Sequence, residues 1–378
     1  MKTMIRIGVI GYGYWGPNLV RNFADSRDCT VVAVCDGNKE RLDLAQRRYP
    51  AIRTTTNANE LIESPDVDAV VIATPTHSHH QLGMSALRAG KHVLIEKPLT
   101  STAAEAEALI EEADKRRLVM MVDHTFLYTG AVRKIKQLLD NGDLGTILYY
   151  DSVRVNLGLF QPDVNVIWDL AVHDVAIMDY LLPTMPFAVS ATGMSHLSGC
   201  AQSIGYMTCL FNNSLIAHIH VNWMAPVKIR RTLLGGNRKM VVYDDVEPSE
   251  KVKIYDKGVT ISDKPDVIFQ KMIQYRMGDM WAPELETKEA LAVEVAEFVR
   301  CIETGAKPIS DGAAGLRVVR LLEAATQSMH QHGSPVEIKD RSILRDSSSR
   351  SAGAVSDHQG RNSGGNRRRS EFEPVRPR

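Results

Sequence analysis

The feature that most constrains this chain is the stretch from Ile5 to Gly16, where the apolar run Ile5-Arg6-Ile7-Gly8-Val9-Ile10 opens directly into glycines at 11, 13 and 16. The run reads as a strand ending in a tight turn, followed by a helix that begins near Pro17 and carries Leu19, Val20 and Phe23. Each glycine answers a different steric demand. Gly11 lets the chain turn sharply off the strand, Gly13 lets backbone N–H groups come close to a pyrophosphate, and Gly16 lets the helix pack tightly on the sheet. The anion then lies at the helix N-terminus, where unpaired N–H groups and the helix dipole favour negative charge. Pro17 suits a first helical turn, because its missing donor would have had no partner there. Glycines also punctuate ordinary turns, so the context decides: a second strand, Thr30 to Cys35, closes on Asp36, 20 residues past Gly16. An acid at that strand tip accepts hydrogen bonds from an adenosine ribose and repels a 2'-phosphate. The pattern points to NAD in preference to NADP, with Lys39 and Arg41 a little further on as the residues that could meet a phosphate.

At 378 residues the chain is long enough for two domains. With 44% hydrophobic and 24% charged residues it has the composition of an ordinary globular protein, and its formal net charge of zero gives no field to attract nucleic acid or an anionic membrane. The cysteines at 29, 35, 200, 209 and 301 are odd in number and show no C-x-x-C spacing, which implies reduced thiols, a cytoplasmic setting and no zinc site. No metal is expected. No apolar run approaches the roughly 20 residues that cross a bilayer.

After Asp36 helical and strand periods alternate. Helices are expected around Glu40 to Arg48, Ala58 to Ser64, Gln81 to Ala89 and Ser101 to Arg116, and strands at Ala69 to Ala73, His92 to Glu96 and Val119 to Val122. Thr102 and Glu105 have the spacing of a capping box. Strands separated by helices of this length imply an α/β class, a parallel doubly wound sheet over residues 1–123. From His124 the character changes. A helix around Ala131 to Asn141 leads into strand-like segments at Thr146 to Leu157, Val189 to Met194, Ser203 to Phe211, Ser214 to Trp223, Lys228 to Leu234 and Lys239 to Tyr243, joined by short turns. This predicts an α+β domain over 124–342 with a large, mostly antiparallel sheet, one face of which is available to a partner subunit. Beyond Pro248 the chain reads as polar and strand-poor to about Pro283, and helices follow at Thr287 to Glu303 and Asp311 to His330. Residues 343–378, rich in Ser, Gly and Arg and containing Arg367-Arg368-Arg369, read as a disordered, solvated tail.

Three stretches carry chemistry. Thr74-Pro75-Thr76-His77-Ser78-His79-His80 follows a strand end, where open α/β sheets bind ligands; without nearby acids or cysteines its histidines read as a loop lining a coenzyme and not as metal ligands. Lys97 stands at the carboxyl edge of a buried strand, in the stretch Glu96-Lys97-Pro98, with its ammonium directed into the same crevice. In Val166 to Asp179, Asp169 and His173 are four residues apart, so a regular helix puts the carboxylate and the imidazole on one face, the arrangement of a base oriented by an acid. An Asp–His pair at this spacing is also common as a surface ion pair. Arg154 and Asn156 alternate toward one face of the preceding strand, where the Arg154 fork suits a carboxylate or phosphate or is simply an exposed strand arginine. Trp168 is assigned either to the core or to the roof of a nicotinamide.

Val9 to Gly16, Ala73 to Pro75 with His77 and His79, and above all Ala89-Gly90-Lys91-His92-Val93 followed by Glu96-Lys97-Pro98 resemble the Gfo/Idh/MocA family of NAD(P)-dependent sugar and cyclitol oxidoreductases, over about Ile5 to Ile338. The resemblance implies that Asp169 and His173 stand opposite Lys97 as catalytic residues. Gly13-Tyr14-Trp15-Gly16-Pro17-Asn18-Leu19 and Asn156-Leu157-Gly158 are similar to the branch acting on nucleotide-linked sugars, while Ala171 departs from the glycine of many relatives. It further implies coenzyme contacts from Gly11, Gly13, Tyr14, Trp15, Gly16, Asp36, Thr74, Pro75, Thr76, His77, His79, Glu96, Lys97 and Trp168, and substrate contacts from Lys97, His124, Tyr128, Arg154, Asn156, Asp169 and His173. The implied reaction is hydride transfer between a sugar hydroxyl carbon, foremost C3 of a UDP-N-acetylhexosamine or its uronic acid, and the nicotinamide, with Lys97 or His173 as base. Inositol or free-sugar dehydrogenation, and a non-catalytic NAD-sensing protein, are the competing readings. A homodimer or homotetramer formed through the second sheet is implied as well.

Overall fold

The computed structural model describes residues 4–158, 164–196, 199, 201–261 and 273–338. The tail expected over 343–378 lies outside the described residues. The first part of the chain forms β1 (Ile5–Ile10), α1 (Gly16–Asp25), β2 (Cys29–Cys35), α2 (Lys39–Arg48), β3 (Arg53–Thr55), α3 (Ala58–Ile62), β4 (Ala69–Ile72), α4 (His79–Arg88), β5 (His92–Glu96), α5 (Ala103–Arg116) and β6 (Met120–Asp123). Its six strands run parallel in the order β3-β2-β1-β4-β5-β6. The strand order reverses between β1 and β4, and at that switch point the glycine turn and the loop after β4 face each other. Val9, Val71, Ile72, Leu94 and Ile95 are fully buried, as central strands covered by helices on both faces must be. Thr102 and Glu105 form the capping box that starts α5. β3 carries no apolar signal of its own, since Arg53-Thr54-Thr55 becomes a strand only by pairing with the edge of β2.

The second part forms α6 (Gly130–Asp140), β7 (Ile147–Leu157), α7 (Val172–Leu181), β8 (Ala188–Met194), β9 (Ile204–Leu210), β10 (Ile216–Asn222), β11 (Met224–Gly236), β12 (Met240–Asp244), β13 (Val252–Tyr255), β14 (Gly258–Ile261), β15 (Ile273–Arg276), β16 (Met280–Trp281), α8 (Ala290–Thr304), α9 (Gly312–His330) and β17 (Val336–Glu337). Nine of these strands make one sheet, β16-β13-β12-β11-β7-β10-β9-β8-β17, antiparallel at every pairing except β7 with β10. Inward residues alternate cleanly along β10 and just past it: Ala217, Ile219, Val221 and Trp223 are buried, and α7 and α9 cover that face. The expectation of a strand-poor stretch from Pro248 to Pro283 is corrected, because β13 to β16 lie within it. In β13 only Val252 and Ile254 point inward, among Lys251 and Lys253; pairing with β12, not local hydrophobicity, makes the strand. Among the described residues no helix is long and apolar enough to cross a membrane.

Candidate active site

Two of the three turn glycines are demanded by the protein itself. Gly11 has φ +97°, and a Cβ there would stand 2.4 Å from the Ala73 carbonyl; a Cβ on Gly16 would stand 2.1 Å from the Gly11 carbonyl. At Gly13 an added Cβ would meet nothing nearer than the Arg41 guanidinium at 3.5 Å. The backbone is bare there without a protein neighbour to explain it. α1 also begins without a side-chain cap and without an acid in its first turn, as do α4 and α8, whereas α2, α5 and α9 are capped by Asn38, Thr102 and Asp311. Open room at Gly13 beside an uncapped helix end is what a bound diphosphate requires, so the residues fit the coenzyme. Asp36 is buried, and its two carboxylate oxygens accept from the backbone N–H of Tyr12 (2.7 Å) and of Asn38 (2.8 Å). It therefore pins the glycine turn to the tip of β2, with Arg41 3.5 Å away.

Around this crest the other expected coenzyme residues divide. Tyr14 is 90% exposed, and the Trp15 indole donates to Asp123 at 2.6 Å, tying the turn to the end of β6. Thr74 bonds the Ser78 hydroxyl at 2.7 Å, Pro75 precedes a short helical turn starting at Thr76, and His77 is exposed on it. His79 is corrected as a coenzyme contact: it is fully buried, its ring lying between the carbonyls of Thr74 (2.8 Å) and Pro98 (3.0 Å). Burial holds its pKa below the ordinary histidine value, and the neutral ring, with a single N–H, donates to one of the two carbonyls and packs against the other. The Trp168 indole donates to Thr326 on α9 at 2.8 Å and is partly buried there.

At the reactive end, β5 and β6 finish in register, Glu96 beside Asp123, so Lys97 and His124 leave the sheet side by side. The Lys97 ammonium donates to the Asp169 carbonyl at 3.0 Å and lies 3.4 Å from its carboxylate; the other carboxylate oxygen accepts from the Trp223 indole at 3.0 Å. The expected Asp169–His173 pair is corrected. Residues Ile167–Ala171 form a π-helical turn, in which the ladder runs from i to i+5 and the rows of side chains are displaced from those of an α-helix. Asp169 is thereby given to Lys97 and Trp223. His173 instead sets its ring edge-on to Phe126, with centroids 4.9 Å apart, and burial together with Lys97, Arg154, His124 and Arg230 pushes its pKa well below 6.5. It is a neutral imidazole facing a lysine that is held by an acid.

The neighbouring groups explain the remaining expectations. Arg154 is neither a wholly free fork nor an exposed strand arginine: it is buried, Asp174 holds Nε and Nη2 at 2.6 and 3.3 Å, the guanidinium lies over the Phe126 ring at 4.6 Å, and Nη1 has no hydrogen-bond partner. Asn156, further along the same face of β7, is partly exposed. Tyr128 is corrected too, because it is 1% exposed and its hydroxyl meets Ser310 at 3.0 Å inside the core. His124 is buried with neither ring nitrogen hydrogen-bonded, and burial with the nearby Lys97 lowers its pKa to about 3. Glu96 accepts from the Lys97 N–H at 2.7 Å; burial, then Asp123, raises its pKa well above the ordinary carboxyl value, and the same two causes act on Glu294 of α8. Among the described residues no group of three or more His, Cys, Asp or Glu side chains could hold a metal ion.

Residues 5–124 match a family model described as oxidoreductase family, NAD-binding Rossmann fold, and residues 132–242 match the GFO/IDH/MocA C-terminal domain. The chain belongs to the Gfo/Idh/MocA family of oxidoreductases. It is 29% identical over 325 residues to the UDP-N-acetylglucosamine 3-dehydrogenase of Acidithiobacillus ferrooxidans, covering 83% of this chain and 94% of that protein. A solved structure of the A. ferrooxidans enzyme superposes with a TM-score of 0.71 at 27% identity, over 87% of this chain and 97% of that one. The myo-inositol 2-dehydrogenase of Thermotoga maritima is 23% identical over 336 residues, covering 86% of this chain and 97% of its own length. Within this Gfo/Idh/MocA chain, sequence reasoning passed over Trp223, Asp123 and Asp174. Trp223 continues an inward alternation that reads as core, and Asp123 ends a strand like any acid. Asp174 was visible as the residue after His173, but its partner Arg154 is 20 positions away on another element.

Proposed function

We propose that this oxidoreductase uses NAD to oxidise a secondary hydroxyl of a nucleotide-linked sugar, C3 of a UDP-N-acetylhexosamine or its uronic acid. The observation that carries the reading is the placement of Lys97, held by Asp169, opposite a neutral His173 at the carboxyl edge of the parallel sheet. The Lys97 ammonium donates to the sugar hydroxyl oxygen and steadies negative charge as it grows there. His173 takes the hydroxyl proton, and NAD supplies the acceptor for the hydride leaving the same carbon. The likeness to the A. ferrooxidans enzyme supports the nucleotide sugar; the likeness to the T. maritima inositol dehydrogenase supports a cyclitol as the second reading. The preference for NAD rests on Asp36, whose carboxylate would lie against a 2'-phosphate. Free buried thiols at Cys29, Cys35, Cys209 and Cys301 support a reducing, cytoplasmic setting. Exposed apolar side chains on the outer face of the large sheet, Tyr206, Ile216 and Ile229 among them, support self-association through that face.

The deciding experiment incubates the protein with NAD and a panel of UDP-sugars, inositols and free hexoses while following the absorbance of the reduced coenzyme. Lys97→Ala should leave NAD binding nearly intact and abolish turnover of whichever sugar reacts; undiminished turnover rejects the assignment. Asp36→Ala should erode the preference for NAD over NADP, and an unchanged ratio of the two kcat/KM values rejects the coenzyme argument.

A further inference from the structure

The large sheet sets two arginines side by side next to the reactive residues. Arg154 on β7 and Arg230 on β11 are direct partners across the antiparallel pair, although like charges placed opposite each other destabilise a sheet. Both turn inward. Ser152 and Arg154 are buried along β7, and the buried Thr232 and Leu234 continue the row of Arg230 along β11, while Arg231 faces the other way and pairs with Asp244 at 2.8 Å. The two guanidiniums share one ring. Arg154 lies over Phe126 at 4.6 Å and Arg230 at 5.6 Å, and the same ring meets the His173 imidazole edge-on at 4.9 Å. A single aromatic side chain therefore separates Arg230 from the imidazole that faces Lys97.

The two forks differ in what they leave free. Asp174 holds Arg154, and the one nitrogen of Arg154 without a partner is buried, so no ligand reaches it. Arg230 donates from Nη1 to Asp245 at 3.2 Å and its Nε is buried, but Nη2 is neither buried nor hydrogen-bonded among the described residues, and the side chain is 28% exposed. The backbone accounts for that opening. Ile229 pairs with Val155 but Met224 with Leu157, so β11 bulges off β7 just beyond Arg230 and leaves the inward face uncovered at that end. Charge is unbalanced there as well. Asp245 also accepts from the Tyr243 hydroxyl at 3.1 Å and lies 3.9 Å from the Lys251 ammonium, so Asp174 and Asp245 serve three cations, Arg154, Arg230 and Lys251. One positive charge is left over beside the accessible corner of Arg230.

We propose that Arg230 binds an oxyanion of the substrate through Nη2, so that the site selects an anionic sugar over a neutral one. The proposal deepens the nucleotide-sugar reading and rests on it. A UDP-linked hexosamine carries a diphosphate and its uronic acid a carboxylate besides, each a few bonds from the C3 hydroxyl. Either group can lie on Arg230 while that hydroxyl lies between Lys97 and His173. A guanidinium corner suits both, and a charge-assisted hydrogen bond in a partly desolvated pocket is among the stronger polar contacts. Asp245 and the Phe126 ring hold the guanidinium in one orientation before the sugar arrives. An inositol or a free hexose offers nothing for it to hold. Arg230 moves neither proton nor hydride, so its contribution is the same in the bound substrate and in the transition state and is felt in KM.

The test uses the full chain with NAD and, in turn, UDP-N-acetylglucosamine, its 6-carboxylate, N-acetylglucosamine and myo-inositol. Arg230→Gln should raise KM for the anionic sugars about tenfold to a hundredfold, as loss of a charge-assisted hydrogen bond does, with kcat within about threefold and KM for NAD within about twofold. Arg230→Lys keeps the charge without the planar fork and should recover part of the loss, and it carries the same comparison if Arg230→Gln melts early. Arg231→Gln, on the opposite face, should match the wild type. A rise for both UDP-sugars alike identifies the diphosphate, and a rise for the carboxylate alone identifies the carboxylate. Unchanged KM for every compound in both Arg230 variants overturns the assignment, as does a rise equally large for the neutral compounds or for NAD. The two levels separate in the wild-type protein: oxidation of the neutral compounds and of neither UDP-sugar overturns the nucleotide-sugar reading and the role of Arg230 with it. Oxidation of a UDP-sugar that both variants handle equally well overturns the role of Arg230 alone.

Discussion

At the scale of single residues, the side chain that organises the reactive end is one with no titratable group. Trp223 fixes one oxygen of Asp169 and leaves the other for Lys97, so the lysine meets a counter-ion that cannot rotate away. Trp223→Phe keeps most of the aromatic bulk and deletes the donor. We expect kcat/KM to fall roughly tenfold, about 1.4 kcal/mol, in line with the loss of one hydrogen bond to a charged group. Denaturant melts should meanwhile shift by about 1 kcal/mol or less. Steady-state kinetics beside the melts check this, and a rate loss no larger than the stability loss would count against it. Lys97, Asp169 and His173 were all legible in the sequence because each sits at a strand end or in a helical period that can be read locally. Their pairing was not, because a π turn at Ile167–Ala171 leaves no trace in hydrophobic spacing. Arg154 shows the opposite failure: its fork is real, but Asp174 holds Nε and Nη2 and leaves only Nη1 without a hydrogen-bond partner.

At the scale of elements, the crest divides its glycines between the protein and the ligand. Gly13→Ala places a methyl group in room that no protein atom fills, so NAD affinity should drop about tenfold or more, over 1.4 kcal/mol, while the melting temperature of the ligand-free protein barely moves. Gly16→Ala drives a Cβ against the Gly11 carbonyl, and both affinity and stability should fall. Titration of NADH fluorescence and thermal melts on the two variants separate these outcomes; equal stability losses would contradict the division. The parallel strands and their helices were readable because local pattern and tertiary role agree in them. β3 and β13 to β16 were not, since short edge strands take their conformation from a neighbour's unpaired backbone and carry little apolar signal of their own.

At the scale of the whole molecule, buried titratable groups pull its stability in opposite directions. His124 and His173 have folded pKa values below the ordinary 6.5, so the folded chain binds fewer protons than the unfolded one below that pH. Their share of stability is present above pH 6.5 and is lost as pH falls, at about 1.4 kcal/mol per pH unit for each group. Glu96 and Glu294 are raised above 4.5, so their share is complete below that pH and is lost as pH climbs toward their folded values. Chemical denaturation across pH should therefore find that His124→Asn flattens the acid side of the profile. Glu294→Gln should gain stability at pH 8 and gain none at pH 4; a pH-independent effect of either substitution would refute the scheme. A last consequence follows from the bare start of α1. α1 is already formed from Gly16, with Pro17 lacking an N–H and the Asn18 N–H donating to the Trp15 carbonyl at 2.9 Å, so a coenzyme diphosphate would meet a finished helix end. Arrival and departure of the coenzyme would then need no refolding of α1, and the crest is a preformed seat.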